Sequence, residues 1–212
     1  MRAPRADLAA WLDPARTALI VIDAQADFAS PEGAMAQAGA DLSAVPDALA
    51  AMARLAEAAR ATGVSVVFTR VETRPETDSA AWADQIRRRG GDPDLDAAVC
   101  RAGSAGAAFF GLHPAETDLV VAKRRYSAFF ETGLHEALRA RGVDTLALCG
   151  LTTECCVDCT ARDAFHLDYR VFIAPDACAA YEADLHAAAL KSLALNCAIL
   201  VSSAEIAEAW GR

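Results

Sequence analysis

The chain has 212 residues, a hydrophobic fraction of 54% and a formal net charge of −9. That length suits one domain, read here as spanning residues 1–212. The acidic balance argues against nucleic acid as a partner, and no run approaches the eighteen apolar residues of a membrane span. Met1–Leu8 lacks the apolar stretch of a secretion signal. Seven cysteines, an odd number, fit free thiols in a reducing cytoplasm.

In chain order, Thr17–Ile22 reads as a buried strand. Apolar residues at helical spacing from Val45 to Ala61 predict a helix that Gly63 stops. Val64–Thr69 is a second strand. The stretch from Val71 to Pro114 is irregular, with a short helix near Ser79–Arg88. Leu119–Ala122 is a third strand, Glu131–Arg141 a helix ended by Gly142, and Thr145–Cys149 a fourth strand. A helix over Thr153–Leu167 follows. Tyr169–Ala174 is a fifth strand, ended by Pro175. The chain closes with a helix at Glu182–Leu195, a strand at Ala198–Val201 and a helix at Ala204–Trp210. Alternating strands and helices predict an α/β fold: three layers around a mostly parallel, six-stranded sheet.

Ligands of such sheets sit beyond the carboxyl ends of the strands. Three titratable groups fall at that rim. Asp23 follows strand one, Lys123 follows strand three, and strand four leads through Gly150 to Cys156. Each alone has a bland explanation as a turn carboxylate, a solvated amine or a packing thiol. Together they form a set in which a carboxylate can accept the thiol proton and an ammonium can stabilise the thiolate. A cysteine in the first turn of a helix and near a cation is expected to ionise below its usual pKa of about 8.5.

The motifs Ala18–Phe28, Lys123–Phe129 and Gly150–Val157, with Thr160–Ala164 after them, resemble the isochorismatase-like cysteine hydrolases. That group includes nicotinamidases, N-carbamoylsarcosine amidases, biuret hydrolases and ureidoacrylate amidohydrolases. The resemblance implies a metal-independent amidohydrolase without a cofactor, acting on a small linear amide, carbamoyl or ureido compound through an acyl-thioester. It makes Cys156, rather than Cys155, the nucleophile and gives catalytic roles to Asp23 and Lys123. It implies a cis peptide at Leu151–Thr152 and an oxyanion pocket from the backbone N–H groups of Thr152 and Cys156. It points to Phe28, Tyr126 and Phe129 as pocket walls, with Gln25 and Glu72 as further substrate contacts. Relatives self-associate, so a homodimer or homotetramer is expected.

Nicotinamidases carry an aspartate and histidines after the second strand that bind a metal. Here Thr69-Arg70-Val71-Glu72-Thr73 has no histidine, which disfavours nicotinamide. The nucleophilic cysteine disfavours vinyl-ether cleavage. Cys156-Val157-Asp158-Cys159 also has the spacing of a thiol–disulfide motif. That reading leaves Asp23 and Lys123 without a role. A zinc site from Cys149, Cys155, Cys156 and Cys159 is weaker still, because adjacent helical cysteines diverge by about 100° and no second ligand pair appears. No Gly-x-Gly-x-x-Gly follows the first strand, which argues against dinucleotide binding.

Overall fold

A computed structural model describes residues 7–211. The leading segment, where no secretion signal was read, lies mostly outside the described residues. Six strands form one sheet: β1 Thr17–Ile22, β2 Ser65–Val71, β3 Leu119–Lys123, β4 Thr145–Leu151, β5 Arg170–Ala179 and β6 Ile199–Leu200. Every pairing is parallel and the order is β3-β2-β1-β4-β5-β6. The long helices are α1 Val45–Ala61, α2 Ala80–Arg88, α3 Asp158–His166, α4 Ala183–Asn196 and α5 Ser203–Trp210. Shorter helical turns fill the connections.

The burial of the central strands explains their composition. Every residue of β1 and β4 is buried, as a parallel sheet covered on both faces requires. Edge strand β3 alternates buried and exposed positions at its carboxyl end and closes on buried Lys123. Helix α1 packs against β5 and α5, with Leu49, Met52, Leu55 and Ala59 on its buried stripe. Helix α5 starts at a capping box in which Ser202 and Glu205 bond each other's backbone N–H groups.

Three elements depart from the sequence reading. The helix expected over Glu131–Arg141 is confined to Leu134–Arg139, because Glu131 and Gly133 both adopt positive φ and cannot be helical. The helix expected from Thr153 begins as one π-turn, Thr153–Val157, before α3. Strand β5 does not stop at Pro175. Its pairing jumps from Leu148↔Ile173 to Gly150↔Cys178, so the proline sits in a bulge. A proline cannot donate to a ladder, and a bulge accommodates it without ending the strand.

The segment between β2 and β3 folds back over the rim of the sheet. It is clipped there by Gln25, whose Nε2 donates to the carbonyls of Val71 and Ala107, both at 2.9 Å, and whose Oε1 accepts from Val71 N at 2.7 Å. Asp27 adds a second clip by accepting from Cys100 N at 2.6 Å and Ala34 N at 3.2 Å.

Candidate active site

The order of the sheet reverses between β1 and β4, the position where ligands of such folds bind. Asp23 leaves β1 there with a φ of 53°, the left-handed region that a non-glycine residue rarely adopts. The turn is held by Asp23 N donating to Thr69 O at 3.2 Å. Thr69 Oγ1 donates to Asp23 Oδ1 at 2.8 Å.

Lys123 ends β3, two strands away, across roughly 10 Å of sheet. Its stem spans that gap entirely out of solvent, and Nζ lies 2.7 Å from Asp23 Oδ2. The same nitrogen reaches Arg125 O at 3.1 Å, Tyr126 O at 3.0 Å and Cys156 Sγ at 3.4 Å. Three N–H donors therefore serve four acceptors, and one bond is shared. Burial weighs against the lysine charge, but Asp23 and then Cys156 outweigh it and hold the ammonium above the ordinary lysine range.

Cys156 is delivered from β4. Gly150 has φ +138°, and a Cβ there would lie 2.2 Å from Ile22 O, so only glycine lets β4 run this close to β1. The Leu151–Thr152 peptide is cis. The π-turn then brings the Cys156 sulfur beneath the cavity, with 6% of the residue exposed. Cys155 next to it, burial and the Asp23 carboxylate hold the Cys156 thiol well above its ordinary value, with Lys123 opposing. Cys155 is held below the ordinary value, chiefly by its hydrogen bond with Cys156. The shift at Cys156 runs opposite to the lowered pKa expected from a helix start beside a cation. Lys123 is engaged by Asp23, and its lowering influence on the sulfur is outweighed by Cys155 and by burial.

A cavity of about 590 Å³ opens above this cluster. Its wall includes Phe28, Tyr126, Thr152 and Cys156, together with Trp82, Glu154 and Tyr181. Three expected contacts lie elsewhere. Gln25 spends both ends of its amide on main chain, as described above. Glu72 is ion-paired with Arg70 at 2.9 Å and with Arg74, outside the cavity wall. Phe129 stacks on Tyr169, with ring centroids 5.7 Å apart, and is part of the packing. Trp82 and Tyr181 escaped the sequence reading because neither belongs to a motif. Tyr181 donates to Phe28 O at 2.9 Å, which ties the two aromatic walls together. A more open groove of about 720 Å³ lies at the amino end of the sheet, against Asp144 and Arg170, and contains none of the three titratable groups.

The family model of the isochorismatase domain matches residues 17–205, nearly the whole chain. The chain belongs to the isochorismatase-domain family. It is 37% identical over 192 residues to the ureidoacrylate amidohydrolase RutB of Methylobacterium radiotolerans, covering 86% of this chain and 74% of that relative. A cysteine hydrolase from Pseudomonas syringae superposes with a TM-score of 0.83 at 30% identity, over 94% of both chains. The N-carbamoylsarcosine amidase of Thermoplasma acidophilum superposes with a TM-score of 0.69 at 25% identity, over 89% of this chain and 96% of that one. Within this isochorismatase-like framework, the end of β2 offers Glu72 already engaged by two arginines. Among the described residues, no three His, Cys, Asp or Glu side chains gather as a metal-ligand set, and none of the described helices is long and apolar enough to cross a membrane.

Proposed function

We propose that this isochorismatase-domain protein is a cysteine-dependent amidohydrolase that cleaves a C–N bond of a small linear amide, carbamoyl or ureido compound. One observation carries the reading: Lys123 Nζ touches both Asp23 Oδ2 and Cys156 Sγ within a buried cluster beneath a cavity. The ureidoacrylate amidohydrolase and carbamoylsarcosine amidase relatives support the choice of bond.

Asp23 takes the proton from Cys156 as the sulfur attacks the carbonyl carbon. Keeping the thiol protonated until that moment couples proton transfer to attack. The backbone N–H groups of Thr152 and Cys156 hold the oxyanion, and losing one such donor typically costs about 3–4 kcal/mol of barrier. Lys123 keeps its charge throughout, fixing the carboxylate and stabilising the transient thiolate. Asp23 then gives its proton to the departing nitrogen, the C–N bond breaks, and ammonia or an amine leaves an acyl-thioester on Cys156. Water, deprotonated by Asp23, cleaves the thioester and restores the thiol. No metal enters this scheme. The cation it needs is Lys123, and the carboxylate at the end of β2 is already paired.

Intact-protein mass spectrometry during turnover of a panel of small amides, ureas and carbamoyl compounds tests the reading. An acyl adduct on Cys156 with release of ammonia or an amine is expected. Absence of both across the panel overturns it. The unpaired thiols suit a reducing compartment such as the cytoplasm. Exposed Leu195, Ile199 and Phe165 near edge strand β6 suit burial between copies in a homodimer or homotetramer, which light scattering would measure.

A further inference from the structure

Glu154 stands two residues before Cys156, on the π-turn that carries the nucleophile. Its Oε1 accepts a 2.7 Å bond from Thr152 Oγ1. Its Oε2 is buried and has no hydrogen-bond partner. Among the described residues, Glu154 is the one member of the cavity wall that carries such an unpartnered buried side-chain atom. Its polar neighbours are engaged elsewhere. The Tyr181 hydroxyl donates to Phe28 O, and His186 Nδ1 lies 2.8 Å from Thr153 Oγ1. A buried carboxylate oxygen without a donor is costly, and few native groups are left so. The Thr152 hydroxyl fixes the carboxylate, so the free oxygen is held in place beside the proposed oxyanion pocket.

An attacked carbonyl has two substituents besides its oxygen. One leaves and takes its proton from Asp23. The other stays on the thioester carbon. We propose that Glu154 is a specificity-determining residue whose Oε2 accepts an N–H from the retained substituent, so that the site selects urea-type carbonyls over simple amides. This rests on the amidohydrolase reading above and narrows it. In such a substrate the S–C bond to Cys156 forms and the bond to the departing nitrogen breaks. The retained nitrogen stays bonded to that carbon throughout, and water breaks the S–C bond to release a carbamic acid. A simple amide retains a CH₂ at that position and leaves Oε2 unpaired, the kind of loss by which polar sites reject analogues.

n-Propylurea and pentanamide isolate the contact, because they differ only by NH against CH₂ at the retained position. Their affinities are measured by calorimetry on full-length Cys156→Ala protein and on Cys156→Ala/Glu154→Gln protein, so the readout does not depend on turnover. Cys156→Ala is expected to bind the urea about 10- to 100-fold more tightly than the amide, the range of a hydrogen bond to a charged group. In the double variant the ratio falls toward one. Equal affinity for the two probes, or no binding of the urea, overturns the assignment. An equal loss for both probes on adding Glu154→Gln also overturns it, and leaves Glu154 with the sole task of holding Thr152. Ammonia release by the unmodified enzyme is measured separately, so failure of the amidohydrolase reading is seen independently of this contact.

Discussion

Lys123 and Asp23 form an ion pair of 2.7 Å in which neither side chain is exposed. Taking two charges out of water is expensive, and the pair survives because its remaining donors and acceptors are met by Thr69, the carbonyls of Arg125 and Tyr126, and the Cys156 sulfur. Lys123→Met strands the carboxylate and is expected to cost about 3–5 kcal/mol in urea denaturation. Adding Asp23→Asn removes the stranded charge and should recover much of that loss while turnover stays abolished. A double variant less stable than Lys123→Met would contradict this account of the pair.

The raised thiol makes a prediction in pH. Iodoacetamide reacts with thiolate, so labelling of Cys156, separated from Cys155 by peptide mass spectrometry, should rise with a midpoint above the free-thiol value of about 8.5. Asp23→Asn deletes a negative neighbour and leaves Lys123 in place, so the midpoint should move down even though catalysis is lost. A wild-type midpoint below that of a free thiol would mean that the lysine dominates after all.

Cys156→Ala should lower turnover by about 10,000-fold or more with circular dichroism unchanged, as for other nucleophile deletions. Cys155→Ala should retain much of the activity. If the Cys155 variant is the dead one, the nucleophile has been placed one residue too late.

Gly150→Ala tests the approach of β4 to β1. The alanine methyl would meet Ile22 O at 2.2 Å in a backbone conformation unfavourable to it. Strain and overpacking together should cost about 3 kcal/mol or more, read as a drop in melting temperature.

Gln25→Leu removes two hydrogen bonds to Val71 at the end of β2 and a buried one to Ala107 in the segment that follows it. Limited proteolysis should cut the 72–114 segment faster while global stability falls by only about 1–3 kcal/mol. Uniform loss of protection across the whole chain would mean that the segment is integral to the core.

Much of this was legible in the sequence. The strands are continuous apolar runs, Gly63 and Gly142 mark helix ends, and the titratable residues sit where the sheet order makes its rim. What escaped was set by tertiary geometry. Pro175 reads as a stop, yet a bulge lets β5 continue past it. Gln25 looks like a free polar group yet is consumed by main chain distant in sequence, and Glu72 is taken up by Arg70 and Arg74 on either side of it. Trp82 and Tyr181 reach the cavity through the fold of connections that have no periodicity to read. The direction of the thiol's shift was not legible, because it depends on the hydrogen bond with Cys155 and on burial as well as on the cation.

The clip made by Gln25 and Asp27 has a consequence for how such proteins diversify. The acid, the amine and the sulfur hang from β1, β3 and β4, whereas Trp82 and part of the surrounding wall belong to the loop that the clip fastens. Part of the recognition surface thus lies on a stretch of chain apart from the strand ends, while Thr152 and Glu154 stay beside the sulfur. Substitutions within residues 75–99 would therefore reshape that part of the wall while leaving Asp23, Lys123 and Cys156 on their own strand ends.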